Sequence, residues 1–169
     1  FVENALDALS LPLKMFYITP VFRYENPQKG RLREHHQFGV EVYGGDTAYL
    51  DYEVIDLAYT FLSDLGVKDL SIKINNIGCP ECRKKYNETL KAFLKANEAN
   101  LCDLCIDRMD RNPLRVLDCK NPDCQAVLKD APTVDSVLCD DCVAHFEQLK
   151  KALTDIGIPF EVDTSLVRG

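Results

Sequence analysis

The sequence has no tryptophan, no long apolar run, no repeat at a fixed period and no low-complexity tract. Its longest apolar stretches cover only a few residues, which excludes a transmembrane helix of about 20 apolar residues. Excess positive charge is also missing. Twenty Lys and Arg face 27 Asp and Glu, a net charge of −7. The chain as a whole is therefore no simple basic nucleic-acid coat, although a local basic patch stays open. An initiator Met is absent too. Phe1-Val2-Glu3-Asn4 and Leu166-Val167-Arg168-Gly169 both read as interior sequence, so we expect a fragment of a longer protein and draw little about compartment from the lack of a signal peptide. What remains is a folding composition, 46 % apolar and 28 % charged over 169 residues, enough for a domain or a domain and a half.

The pattern of residues predicts an α+β chain. Residues 14–24 are rich in aromatic and β-branched side chains and read as a strand, with Pro20 pointing to an edge or a bulge. A polar loop with Pro27 and Gly30 follows and carries Lys29, Arg31 and Arg33. His36–Tyr43 reads as a second strand, so the two form a long antiparallel hairpin. Asp46 or Thr47 can cap a helix of about five turns. Its apolar face is Leu50, Val54, Leu57, Ala58, Phe61 and Leu65, and Gly66 ends it. Leu70, Ile72 and Ile74 alternate as a half-buried strand. From Gly78 the composition changes to short helices between cysteine-bearing turns, with helical runs at 83–96, 125–129 and 143–156. Gly157 stops the last of these, and Ile158–Val162 reads as a returning strand. Asn87-Glu88-Thr89 matches a glycosylation sequon, but it lies inside a predicted helix and is read as chance.

Eight cysteines fall in four pairs: Cys79/Cys82, Cys102/Cys105, Cys119/Cys124 and Cys139/Cys142. Three pairs are C-x-x-C and one is C-x4-C. A C-x-x-C turn aims two thiolates at one ion, and two turns complete a tetrahedral site. Disulfides and free thiols are the competing readings, and zinc is favoured because disulfide frameworks belong mostly to small secreted domains. Eight thiolates would fill two structural sites. A single site is the sub-case, because the C-x4-C pair is looser. His145, three residues after Cys142, could replace a thiolate, but a plain surface helix position is the favoured reading. Which pairs share an ion is not legible. Such sites hold structure and leave no open position for chemistry.

The hairpin carries the other candidates. Arg23 is a charge in an apolar strand, either a solvated edge residue or a group facing a ligand. The basic loop and the Glu25 carboxylate point toward phosphate and nucleobase recognition. Gln37, Gly39 and Glu41 share a strand face. That face is either plainly solvated or a small polar pocket with a gap over Gly39.

Phe22-Arg23-Tyr24-Glu25, Pro27-Gln28-Lys29-Gly30-Arg31 and His36-Gln37-Phe38-Gly39-Val40-Glu41 resemble motif 2 of class II aminoacyl-tRNA synthetases, in the form of the histidyl-tRNA synthetases. Asn112-Pro113-Leu114-Arg115-Val116-Leu117-Asp118 resembles the insert signature of bacterial members. Leu166-Val167-Arg168-Gly169 resembles the first half of the histidine-specific motif. Motifs 1 and 3 and the anticodon-binding domain of that family are not in the sequence.

The resemblance implies part of the class II antiparallel catalytic sheet plus a small helical, Cys-rich, zinc-binding insertion domain. Residues 1–77 would be partial catalytic core with the motif 2 hairpin, 78–157 the insertion, and 158–169 the return to the core. It implies an enzyme that activates histidine with ATP and Mg2+ to histidyl-adenylate and transfers it to tRNA(His), as a cytoplasmic homodimer with no membrane contact. This fragment alone would be inactive. Arg23 and Arg168 would be the catalytic arginines on the α-phosphate. Arg23, Glu25, Arg31 and His35 would bind ATP, with His35 where many members place an aromatic residue against adenine. Gln37, Glu41 and Arg168 would bind histidine, and the insert would lie against the tRNA acceptor stem. The implied cofactors are Mg2+ with ATP and one or two structural Zn2+. Two alternatives stay open: a non-catalytic paralogue such as the regulatory subunit of ATP phosphoribosyltransferase, and a zinc-bound interaction module.

Overall fold

The computed structural model describes residues 2–166. They fall into two compact units that divide between Ala58 and Tyr59.

The first unit is built on the hairpin. Strand β1 (Leu13–Phe22) pairs antiparallel with β2 (Glu34–Tyr43), in register from Leu13 opposite Tyr43 to Phe22 opposite Glu34. The Arg23 N–H donates to the Arg33 carbonyl at 2.8 Å and extends the ladder one step. Hydrogen-bonded and non-bonded pairs alternate in such a ladder. Pro20, opposite His36, therefore occupies a non-bonded position, where its missing N–H costs no ladder bond. Phe16, Ile18, Phe22 and Phe38 line one face of the hairpin and are largely exposed. Helix α1 (Ala48–Asp64) approaches the far end of this same face. There Lys14 bonds Glu53 at 2.5 and 2.7 Å, and Val54 and Leu57 border a cavity of about 380 Å³ with Phe16, Phe38 and Val40.

The end of α1 is set by Gly66. Its N–H reaches the Ser63 carbonyl, the Val67 N–H reaches that of Leu62, and φ at Gly66 is +79°. These two bonds close the helix in a left-handed cap that favours glycine. The apolar stripe of α1 is present but little covered: Leu57, Phe61 and Leu65 are all exposed.

The second unit begins in α1 and continues through β3 (Ile72–Ile74), which pairs in parallel with β4 (Phe160–Val162). Lys73 sits between Glu161 at 2.8 Å and Asp163 at 3.1 Å. The intervening chain is helical: α2 (Pro80–Ala96), α3 (Asp103–Arg111), α4 (Pro122–Leu128) and α5 (Asp140–Asp155). Tyr86, Leu90 and Leu94 form the buried stripe of α2 and pack with Cys105 and Met109 of α3, then Val116, Cys119, Cys124 and Val134. Leu90 and Leu94 are fully buried, each contributing about 1.5–3 kcal/mol by leaving water. Helix α5 ends in the same cap as α1, around Gly157.

Three helices start earlier than the sequence pattern predicts. Helices expected from 83, 125 and 143 begin at Pro80, Pro122 and Asp140. The three C-x-x-C segments expected as turns are in fact helix starts, each with its first cysteine at the N-cap. Helix α3 was not expected at all. The sequon asparagine, Asn87, lies in mid-α2 with its Oδ1 buried.

Candidate functional site

On the hairpin, strand alternation places Arg23, His35, Gln37, Gly39 and Glu41 on the face opposite the exposed phenylalanines. Arg23 is half-buried, and its Nη2 lies 2.8 Å from Nε2 and 3.3 Å from Nδ1 of His35. A guanidinium only donates, so His35 must offer an unprotonated ring nitrogen to it. These two candidates are thus brought together.

The gap expected over Gly39 is filled. Tyr17 stands opposite Gly39, and a Cβ at position 39 would lie 2.2 Å from its ring. Glycine is what lets the ring lie across the strand. The Tyr17 hydroxyl accepts a hydrogen bond from Gln37 Nε2 at 2.8 Å. Tyr17 was missed in the sequence because only the strand register makes it a neighbour of Gln37. Glu41 lies one step further along the same face, opposite Met15, and is exposed.

In the loop, Gln28 and Arg31 exchange backbone hydrogen bonds at 2.8 and 3.0 Å around Gly30, whose φ is +77°. Arg33 ties the loop together, reaching the Glu25 carbonyl at 3.3 Å and Asn26 Oδ1 at 3.2 Å. Glu25 and Arg31 are exposed. Arg168 lies outside the described residues.

The cysteines gather into two tetrads, Cys79-Cys82-Cys139-Cys142 and Cys102-Cys105-Cys119-Cys124, each with its sulfurs within 4.8 Å of one another. All eight are free. Cys79 and Cys82 sulfurs are 3.5 Å apart, those of Cys102 and Cys119 3.9 Å. A disulfide needs about 2.05 Å, whereas four sulfurs at 2.3 Å around one zinc stand about 3.8 Å apart. The pairing is nested: the first knuckle meets the fourth, and the second meets the third. His145 belongs to neither set.

Helix starts explain the geometry. Cys79, Cys102 and Cys139 are the N-cap residues of α2, α3 and α5, and Cys82, Cys105 and Cys142 are the third helical residues. In the C-x4-C pair the cap is Asn121, which accepts from the Asp123 N–H at 2.9 Å. Cys124 still holds the third position, so the longer spacing changes where Cys119 sits and not how Cys124 points. Each second sulfur therefore lies at a helix N-terminus, where backbone N–H groups and the helix dipole favour negative charge. Crossed bonds join the knuckles. The Cys79 N–H donates to Cys142 Sγ at 3.2 Å, Cys139 N–H to Cys82 Sγ at 3.2 Å, and Cys102 N–H to Cys124 Sγ at 3.1 Å.

The thiols respond unequally. The Cys82 backbone N–H, then its thiol, draw Cys79 down to about 7, although the contact falls short of a full capping bond. Cys105 does the same for Cys102, also to about 7. Burial pushes Cys142 up to about 12 and also raises Cys105 and Cys124. At Cys82 the Cys139 N–H pulls the thiol down, but burial with the Cys79 and Cys139 thiols outweighs it. Four sulfurs within 4.8 Å of one another at helix starts, with backbone N–H groups donating to Cys82, Cys124 and Cys142, are the donor set of a divalent metal site.

The profile of the family described as "Histidyl-tRNA synthetase" matches residues 2–169. The chain belongs to the histidyl-tRNA synthetase family. The histidine–tRNA ligase of Clostridium novyi (strain NT) is 53 % identical over 169 residues, covering all of this chain and 41 % of its own length. That of Caldanaerobacter subterraneus subsp. tengcongensis is 54 % identical over the same span, 40 % of its own length. The crystal structure of apo Staphylococcus aureus histidyl-tRNA synthetase superposes with a TM-score of 0.76 at 30 % identity, over 99 % of this chain and 38 % of that one. The chain spans about 40 % of the length of these curated relatives. The α+β class II synthetase fold expected from the motifs is the fold observed. Among the described residues no helix is long and apolar enough to cross a membrane.

Proposed function

We propose that this chain is the motif 2 hairpin and insertion of a histidine–tRNA ligase. The observation that carries the reading is the match of the histidyl-tRNA synthetase family over residues 2–169. Relatives named histidine–tRNA ligase, 48–54 % identical over the whole chain, favour it over the regulatory paralogue and the free-standing module. In this reading residues 1–77 and 158–169 belong to the catalytic core and 78–157 to the insertion.

The reaction has two steps. The histidine carboxylate attacks the α-phosphate of ATP, pyrophosphate leaves, and the activated histidine passes to the terminal ribose of tRNA(His). Positioning and charge stabilisation dominate such a substitution. Arg23 holds the α-phosphate, and its contact with His35 keeps the guanidinium in place until substrate arrives. His35 then lies beside the adenine with Glu25, and Arg31 reaches the terminal phosphate. Gln37 takes the histidine amino group, with Tyr17 fixing its amide. Glu41 accepts from the imidazole, and Arg168 meets the charge that grows on the α-phosphate. Mg2+ bound with ATP would screen the charge of its phosphates. The insertion lies against the tRNA acceptor stem, and its two cysteine tetrads would hold structural Zn2+. The whole enzyme works as a cytoplasmic homodimer, and residues 1–169 alone do not catalyse.

The test is amino-acid-dependent ATP–pyrophosphate exchange by the full-length protein. Exchange that requires histidine, followed by charging of tRNA(His), is the expected result. Exchange driven by another amino acid, or none at all with an intact fold, would overturn the reading.

A further inference from the structure

We propose that the two tetrads are metal sites of unequal rank. The inner one, Cys102-Cys105-Cys119-Cys124, builds the helical lobe. The outer one, Cys79-Cys82-Cys139-Cys142, clasps the finished lobe to its stalk and gives up its metal first. The inference rests on the zinc reading above and goes beyond it by assigning each site a separate job.

Burial separates them. Cys105 and Cys124 are fully buried and Cys119 is 8 % exposed. All three belong to the hydrophobic cluster formed with Leu90, Leu94 and Met109, and Cys102 packs against it. An ion there is bonded to side chains that are themselves the core. In the outer tetrad only Cys82 is buried, Cys139 is exposed, and none of the four belongs to that cluster. Water and competing ligands reach the exposed Cys139, and through it the outer ion, without opening the core.

Topology gives the same order. The inner site joins residues 22 positions apart, the outer site residues 63 apart. Closing the longer loop costs more chain entropy unless the lobe between is already folded. Assembly therefore runs from inner to outer, and loss runs the other way.

Position gives the outer site its job. The chain leaves β3 at Ile74 and enters α2 at Pro80; α5 starts at Asp140 and leads back to β4 at Phe160. The outer tetrad joins the starts of α2 and α5, where the lobe leaves and rejoins its two-stranded base. Asn76 reinforces the junction, donating to the Cys142 carbonyl at 3.0 Å and accepting from the Gly78 N–H at 2.6 Å. With the outer ion gone, these hydrogen bonds and the crossed Cys79–Cys142 and Cys139–Cys82 bonds are left to hold the neck.

Elemental analysis combined with stepwise zinc release tests both levels. The full-length protein, purified without chelator, should hold about two zinc per chain. Titration with a mercurial into a chromogenic zinc indicator should release one equivalent first. Iodoacetamide mapping by mass spectrometry at that point should find Cys79, Cys82, Cys139 and Cys142 labelled and the inner four protected. Cys139→Ser should keep one zinc with the inner four protected, whereas Cys105→Ser should lose both. Absence of zinc from the unaltered protein overturns the metal reading and this inference with it. Two zinc released together, labelling of the inner set first, or a Cys105→Ser protein that keeps its outer zinc overturns the ranking alone.

Discussion

The ring of Tyr17 lies across Gly39, its partner on the neighbouring strand, and its hydroxyl holds the amide of Gln37 at 2.8 Å. The Gln37 side chain is thereby oriented before any ligand arrives. A methyl group at position 39 would meet the ring at 2.2 Å, and the ring, a movable side chain, would swing away. Gly39→Ala should therefore displace Tyr17 and free the Gln37 amide. Alanine's better fit to a strand should be offset by the lost bond, worth about 0.5–1.5 kcal/mol. A crystal structure of the variant reads the ring position directly. A Tyr17–Gln37 contact left in place would contradict this account of the glycine.

A second prediction concerns pH. The Asp163 carboxylate accepts from the Ser165 hydroxyl and N–H and from Lys73, which hold its carboxyl below the ordinary value of 3.8. A carboxyl lowered on folding contributes stability above the unfolded value and loses it as pH falls through the folded one. The turn after β4 should therefore stay intact at pH 5 and loosen in acid below about 4. Carboxyl-selective NMR should give Asp163 a midpoint under 3.8. A midpoint at or above that value would remove the proposed hold on the turn.

Arg168 supplies a third. As the second arginine on the α-phosphate it would act on charge that develops only in the transition state. Arg168→Ala in the full-length enzyme should lower kcat about 10²–10³-fold, as for loss of one oxyanion donor. Normal kcat with a raised KM for ATP would assign it to ground-state binding.

Several of these features were legible in the residues. Gly66 and Gly157 marked helix ends because a left-handed cap favours glycine, and both caps are present. The hairpin followed from its aromatic and β-branched strands on either side of a Pro/Gly loop. The start of α1 after Thr47 was legible, but those of α2, α4 and α5 were not, because a paired-cysteine segment reads as a turn whether or not its second cysteine is already helical. Helix α3 was hidden for a related reason: its nine residues bury only Cys105 and Met109, too few for a periodic signal. The nested pairing of the tetrads depends on which helix starts come together in space, and spacing along the chain carries no record of it. Tyr17 was missed likewise, since its role is fixed by strand register. Four of the candidate residues, Arg23, His35, Gln37 and Glu41, do share one face of the hairpin, which strand alternation foretold for the last two.

The central claim is that this hairpin face selects histidine, and Glu41 tests it most directly. A carboxylate accepts from the imidazole N–H, and a site built on such a bond can reject ligands that lack it by about 10⁴-fold or more. The measurement is kcat/KM for histidine in ATP–pyrophosphate exchange by full-length enzyme carrying Glu41→Gln. The account predicts a fall of at least about tenfold, roughly 1.4 kcal/mol of transition-state stabilisation, with KM for ATP nearly unchanged. Histidine activation within about twofold of the unaltered enzyme, under 1 kcal/mol, would contradict it.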